Sequence, residues 1–320
     1  MSDPAGLGRH DPWDGVRAVV AGFGAAGFAA ADNLTHLGAS VTALDESSAG
    51  REEEAELLEV LGATVRLGEG ATARLPDDVD VVIGSPGWDE SPLLLQARER
   101  GVPVWGELEL AWRLRDPAHP APWLCVTGAR DPGRSVRMLE AILVAGGLRC
   151  AAAGAGAGGL PIVEAVMDPE PYDALAVGLT GAQLAGAGPM SAASAAVLDV
   201  GAETGLGRVY EQVRDACVYL ASEPVTEDLV READVVEGAR AIGITLGAPG
   251  VGMLGVVEDL LVDRAFIAER DTSAAELCSI GDLPDATPEV VQDALVAAAL
   301  ARAHGVGQVA VRDGLRTFRG

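Results

Sequence analysis

Lysine is absent from this chain: all 23 basic positions among its 320 residues are arginine. A phosphate-gripping lysine, a Schiff-base lysine and a carbamoylated lysine bridging two metals each need an amine that a guanidinium does not supply. All three chemistries are excluded at once. A single asparagine, Asn33, beside abundant Ala, Gly and Arg fits a drift toward GC-rich codons. That drift explains part of the missing lysine, but it would not by itself remove one that catalysis required. Positive charge is scarce as a whole. Against 48 Asp and Glu the formal net charge is −25 and the pI about 4.4. The arginines are scattered rather than gathered in a stripe, so nucleic acid and anionic membrane are excluded as partners by repulsion. Cysteine is sparse too. Cys125, Cys150, Cys217 and Cys278 lie far apart, form no CxxC pair and sit beside apolar residues. They are expected as buried free thiols rather than disulfides or zinc ligands. No apolar run reaches the roughly 18 residues that span a bilayer, so no membrane span is expected. Met1-Ser2-Asp3-Pro4 lacks an apolar signal core, and the chain reads as cytoplasmic.

What is present is enough apolar surface, 49% of residues, for a sizeable core. The length suggests two domains. Residues 1–14 are polar and punctuated by Pro4 and Pro12, and read as a flexible tail. From Gly15, short β-branched runs alternate with helical stretches, which implies an α/β fold with parallel sheets. Three prolines within residues 116–122 mark a boundary, with a Pro-rich linker at 117–122. The divisions expected are therefore 15–116 and 123–320. The low-complexity stretch from Ala151 to Gly159 reads as a tight or mobile loop, and Gly255 to Leu261 as a single strand.

Three segments could carry chemistry. Gly22-Phe23-Gly24-Ala25-Ala26-Gly27 follows a strand and opens a helix, the context in which glycines let backbone N–H groups approach phosphates. Asp45 ends the next strand, where its carboxylate could accept from ribose or base hydrogens. Ser85-Pro86-Gly87 falls at the carboxyl edge of the same sheet and could complete a diphosphate cradle. An ordinary strand–helix turn reads the same way, and no His or Tyr constellation supports an oxidoreductase built on this loop. Gly128-Ala129-Arg130-Asp131-Pro132-Gly133-Arg134-Ser135 fits a phosphate loop except that Arg134 replaces the lysine. Arg134 is larger and forked, Pro132 removes one cradle amide, and Asp131 brings negative charge to the place of a phosphate. The four histidines fall in the tail, two helices and the linker and make no Ser/His/Asp set. No spaced metal cluster is visible.

In order, the glycine loop, Asp45, Ser85-Pro86-Gly87 and Val102-Pro103-Val104-Trp105-Gly106-Glu107-Leu108-Glu109-Leu110 lead into Trp123 to Gly128. This succession resembles the Mur ligases, and within them the actinobacterial D-glutamate-adding branch. The likeness covers about residues 15 to 320. It implies an N-terminal Rossmann-like domain that binds UDP and a central P-loop-ATPase-like α/β domain. In that family ATP and Mg²⁺ form an acyl phosphate that an amino acid attacks. On the UDP side the resemblance carries Gly22, Gly24 and Gly27 to the diphosphate-facing glycines. Ala26 stands where a hydroxyl residue is usual. Asp45 goes to the acidic position near uracil, and Ser85, Pro86 and Gly87 to the second uridine-diphosphate loop.

On the ATP side the pattern departs. The lysine of T-G-[TS]-N-G-K-[TS]-T is missing from Thr127 to Ser135. The asparagine of G-N-I-G is missing from Gly158-Gly159-Leu160-Pro161. The metal-binding Glu of E-L-S-S-[FY]-Q-L is replaced by Gly178. The D-H-x-D region is deleted between Val200 and Arg208, and H-N-x-x-N has become Glu289-Val290-Val291-Gln292-Asp293. The chain stops at Phe318-Arg319-Gly320, where the resemblance places the start of the family's C-terminal domain, which is expected to be absent. The expectation is a non-catalytic pseudoenzyme tied to peptidoglycan precursor synthesis, with no cofactor. It would bind a UDP-N-acetylmuramoyl-type ligand, a ligase or other cell-wall enzyme, or a second copy of itself. The alternative is a divergent ATP- and Mg²⁺-dependent amide ligase completed by a partner subunit.

Overall fold

The alternation of strand and helix becomes two separate sheets in the structure, a computed structural model that describes residues 4–88, 90–156 and 158–320. The first three residues of the expected tail and Ala157 of the expected Ala/Gly loop lie outside these. Two compact units result. The first holds the chain up to Pro120 together with Pro161–Glu170 and Gly186–Gly188, and the second holds the remainder.

In the first unit β1 (Arg17–Ala21), β2 (Ser40–Asp45), β3 (Thr64–Leu67), β4 (Val81–Gly84) and β5 (Val104–Gly106) form a parallel sheet in the order β3-β2-β1-β4-β5. Their interior positions are almost continuously apolar because helices cover both faces of such a sheet. The helices are α1 (Ala25–His36), α2 (Glu52–Val60), α3 (Pro92–Glu99) and α4 (Glu107–Arg113). Strand order reverses direction between β1 and β4, with Ala21 paired to Gly84, so a crevice opens at the carboxyl ends of these two strands. One residue of the expected flexible tail is anchored. Trp13 is fully buried and its indole N–H donates to the Gly8 carbonyl at 3.0 Å. Asp80, also buried, accepts from the Arg17 amide and Nε, both at 2.9 Å, and from Nη2 at 2.8 Å. This ties the start of β1 to the segment that leads into β4.

The second unit runs β6 (Trp123–Thr127), α5 (Gly133–Ala145), β7 (Cys150–Gly154), then α6 (Ile162–Met167), which belongs to the first unit and packs there on α1 and α4. It continues with β8 (Ala174–Leu179), α7 (Gly181–Gly186), β9 (Ser194–Val197), β10 (Ala216–Leu220), α8 (Pro224–Glu232), β11 (Arg240–Ile244), β12 (Met253–Val257), β13 (Leu260–Asp263), β14 (Ala275–Ser279), α9 (Pro288–Ala303) and α10 (Gln308–Thr317). The order is β14-β13-β12-β11-β10-β9-β6-β8-β7, antiparallel only in the β12-β13-β14 part among the described residues. Two local expectations fail. Cys150–Gly154 is a strand and not part of a loop, registered against β8 from Cys150↔Ala174 to Gly154↔Gly178. Alanine and glycine carry little strand propensity, and pairing with β8 overrides it. Gly255 to Leu261 is a hairpin, turning at Glu258 with a φ of 57°.

Helix α9 is the axis of this core, with every residue from Ala294 to Ala301 buried. Helix α10 approaches α5 so closely that a Cβ on Gly314 would lie 2.5 Å from Ile142 Cα. Buried Asp263 closes the hairpin end: Oδ1 accepts from the amides of Ala265 and Phe266 at 2.7 and 2.9 Å, and Oδ2 from Arg302 Nε at 2.9 Å. Cys125, Cys217 and Cys278 are buried and Cys150 is half-buried, all as free thiols. Burial pushes each of these thiols up to about 12, so they are inert at neutral pH. No helix of the described residues is long and apolar enough to cross a membrane.

Two outcomes follow from the buried acids. Asp263→Ala leaves the Arg302 guanidinium without its counter-charge and two amides without an acceptor, and is expected to lower stability by about 3–5 kcal/mol in a denaturant titration. An unchanged midpoint would refute that role. Hydrogen bonds and charge from Arg17 hold the Asp80 carboxyl below its ordinary value. A carboxyl depressed in the folded state contributes stability above the unfolded pKa, near ~3.9, and loses it as pH falls through the folded value. The stability gap between wild type and Asp80→Asn should therefore be full at pH 7 and shrink below about pH 4. A gap that stays constant down to pH 2 would contradict the pairing.

Candidate functional site

The crevice at the end of β1 is built by glycines with different reasons for being small. Gly22 turns the chain with a φ of 93°, and a Cβ there would lie 2.5 Å from Trp88 Nε1 and 2.8 Å from Ser85 Cβ. A Cβ on Gly27, in the first turn of α1, would lie 1.9 Å from the Gly22 carbonyl oxygen. Packing demands both glycines. Gly24 differs: its φ is −77° and nothing lies within 4 Å of a Cβ placed on it. Its smallness answers to no neighbour in the protein. The first bond closing α1 runs from the Phe28 amide to the Gly24 carbonyl at 2.8 Å. The amides of Ala25 and Ala26 precede it, on an exposed and a half-buried residue at the positive end of the helix.

Asp45 has partners within the protein. It is buried, and its Oδ2 accepts from the Phe23 amide at 2.6 Å and from Arg51 Nη1 at 2.6 Å, while Oδ1 accepts from the Ser47 amide at 2.9 Å. The carboxylate clamps the glycine loop and presents Arg51, 29% exposed, beside it. Arg51 went unnoticed in the sequence, where it is a lone cation ahead of three glutamates. Ser85 likewise serves the loop. Its amide donates to the Ala21 carbonyl and its hydroxyl to the Gly22 carbonyl, both at 2.9 Å. Pro86 and Gly87 are exposed on the following turn, Gly87 with a φ of 84° and open space around it. Gly22, Phe23, Gly24, Ala25, Ala26, Gly27, Asp45, Ser85, Pro86 and Gly87 are thus brought to one end of the sheet. Trp88, half-buried beside Gly22, joins them.

The loop between β6 and α5 is organised around a carboxylate. Gly128 passes close to Asp199, whose Oδ1 accepts from the Arg130 amide at 3.0 Å. The Gly133 amide donates to Asp131 Oδ1 at 2.9 Å, so a side chain of the loop itself takes a group that would face a phosphate. Arg130 Nη2 donates to Asp293 Oδ1 at 2.6 Å, Ser135 Oγ donates to the same oxygen at 2.8 Å, and Arg134 Nε donates to Asp293 Oδ2. Asp293 is fully buried on α9. The backbone of the segment after β7 closes the other side: a Cβ on Gly156 would lie 2.3 Å from Gly133 Cα. A Cβ on Gly178 would lie 2.0 Å from the Ala155 carbonyl oxygen, and the Ala155 amide donates to the Gly178 carbonyl at 2.7 Å. The space for a side chain at 178 is filled by main chain. Among the described residues no group of three or more His, Cys, Asp and Glu could hold a metal ion. The donor set around Arg134 and Ser135 does not fit ATP with Mg²⁺, because a carboxylate of the chain already occupies it.

No family model matches the chain. It is 48% identical over 321 residues to the UDP-N-acetylmuramoylalanine–D-glutamate ligase of Streptomyces avermitilis, covering 96% of this chain and 68% of that protein. Against the ligase of the same name from Leifsonia xyli the identity is 39%, over 97% of this chain and 65% of the relative. The chain thus spans about two thirds of the length of such relatives. Among solved structures, a UDP-N-acetylmuramate:L-alanyl-γ-D-glutamyl-meso-diaminopimelate ligase from Neisseria aligns with a TM-score of 0.64 at 15% identity, over 95% of this chain and 98% of that one. A MurC ligase from Thermotoga maritima aligns at 0.53 and 16%, over 95% and 69%. These two show a shared fold. The sequence identities, sustained across nearly the whole chain, show that it belongs to the MurD family, the UDP-N-acetylmuramoylalanine–D-glutamate ligases.

Proposed function

We propose that the chain is a non-catalytic member of this family. It would work in the cytoplasm on the peptidoglycan precursor route and bind a UDP-N-acetylmuramoyl-type ligand at the glycine loop without spending ATP. The observation that carries the non-catalytic half is the engagement of Arg134 and Ser135 by Asp293. The filling of the space at Gly178 by the Ala155 carbonyl adds to it. Phosphoryl transfer depends on fixed cations around the transferring group, and losing them costs orders of magnitude in rate. Three features support the binding half: the uncovered amides at the start of α1, the unconstrained Gly24 and the cation of Arg51. Together they offer backbone donors and one guanidinium to a diphosphate.

Titration calorimetry with UDP-N-acetylmuramoyl-L-alanine tests the ligand, and the expected result is saturable binding. The variant that isolates the loop is Gly24→Ala. Because its Cβ meets open space and only the preference of the helix cap for glycine is lost, the melting temperature should fall by no more than a few degrees. Loss of even one charge-assisted amide contact, worth ~1.5–3 kcal/mol, weakens binding about tenfold or more. Equal affinity for the two proteins would remove the glycine loop from the site, and no heat from wild type would end the binding proposal. For the other half, purified protein given ATP, Mg²⁺, the muramoyl precursor and D-glutamate should release no phosphate. Turnover there would overturn the non-catalytic reading in favour of a divergent ligase.

A further inference from the structure

We infer that Asp293 is the resident anion of the β6–α5 loop: the chain supplies from α9 the negative charge that this loop is built to surround, and so excludes external phosphate. The inference rests on the second unit alone. Failure of ligand binding at the glycine loop leaves it standing, and its own failure leaves that binding untouched.

The geometry is specific. Three donors from residues 130, 134 and 135 converge on the two oxygens of one carboxylate that lies more than 150 residues away in sequence and has no solvent exposure. Arg130 and Arg134 keep 26% and 35% of their side chains exposed, whereas the Asp293 side chain that they meet has none. A buried carboxylate surrounded by two guanidiniums and a hydroxyl, at the first turn of a 13-residue helix, reproduces the donor environment of a bound oxyanion. Gln292, next to it on α9, has its Oε1 3.5 Å from Arg130 Nη2. Without the Asp293 charge the same donors would face one another across an empty space, and that space would suit a small oxyanion.

Thermal unfolding of wild type, Asp293→Ala and Asp293→Asn in sodium formate, sodium phosphate and sodium chloride at matched ionic strength tests this. Asp293→Ala should melt about 10 °C below wild type, because one partner of a buried ionic cluster is gone. It should recover much of that loss along a saturating curve in formate or phosphate. Asp293→Asn, whose amide fills the space without the charge, should also melt low and show no such recovery. Wild type should respond to formate and phosphate no more than to chloride. Recovery that disappears in Asp293→Ala combined with Arg134→Ala would fix the anion at this site. The inference is overturned if formate and phosphate help Asp293→Ala no more than chloride does. It is equally overturned if they stabilise wild type as much, since the loop would then be open to external anions. Should Asp293→Ala fail to fold alone, refolding in formate against chloride decides the matter: recovery in formate only supports the inference, and recovery in neither overturns it.

Discussion

A carboxylate taken out of water costs several kcal/mol unless charge and hydrogen bonds replace its hydration, and the second unit is arranged around one such group. Asp293 sits in the middle of the most deeply buried helix of the chain, among alanines, leucines and valines that offer it nothing. Its partners Arg130, Arg134 and Ser135 come from the loop after β6 and the first turn of α5. This dependence runs both ways. The loop carries two arginines close together and would repel itself without a shared counter-charge, while α9 could not place an acid in the core without that loop. Helix α5, which begins inside the loop, is thereby held to α9, and α10 closes over α5 through the contact at Gly314.

The two glycine-bearing loops form a contrast within one chain. Both follow a central parallel strand and both open a helix. At the first, the internal carboxylate is Asp45, and it grips the loop from behind, through the Phe23 amide, so that the start of α1 stays uncovered. At the second, the carboxylate comes from the front and the helix start is covered by side chains and by the backbone of Gly156. The same electrostatic preference of helix starts for negative charge is thus left open in one unit and satisfied internally in the other.

Much of the fold was readable in the sequence wherever apolar runs were long or their boundaries marked. Arg17–Ala21, Ser40–Asp45, Trp123–Thr127 and Ala216–Leu220 appear where β-branched and apolar residues cluster, and Pro288 opens α9 at the position that suits proline. Cys150–Gly154 escaped because its residues are small and only its neighbours make it a strand. Helix α6 escaped because six residues are too few for a periodic signal, and its assignment to the first unit needs three dimensions. Spacing picks out the glycine loop as a segment, while the bonds that Asp45 and Ser85 make to it are not legible in the sequence, since each reaches backbone that any residue could supply. Asp293 was visible only as a departure from a pattern. Its partners lie across the whole second unit, and no local rule connects Arg134 to a helix so distant in the chain.

The main chain at Ala155 has one more implication, for substitution at its neighbour. Its carbonyl oxygen lies where the first carbon of any side chain at position 178 would have to stand. An acid introduced at 178 would push apart Ala155 and Gly178, whose main chains are hydrogen-bonded at 2.7 Å, before its carboxylate met any ion. Any side chain at this position must first re-route the segment after β7, so the backbone and not the chemistry of the group decides what residue 178 can be.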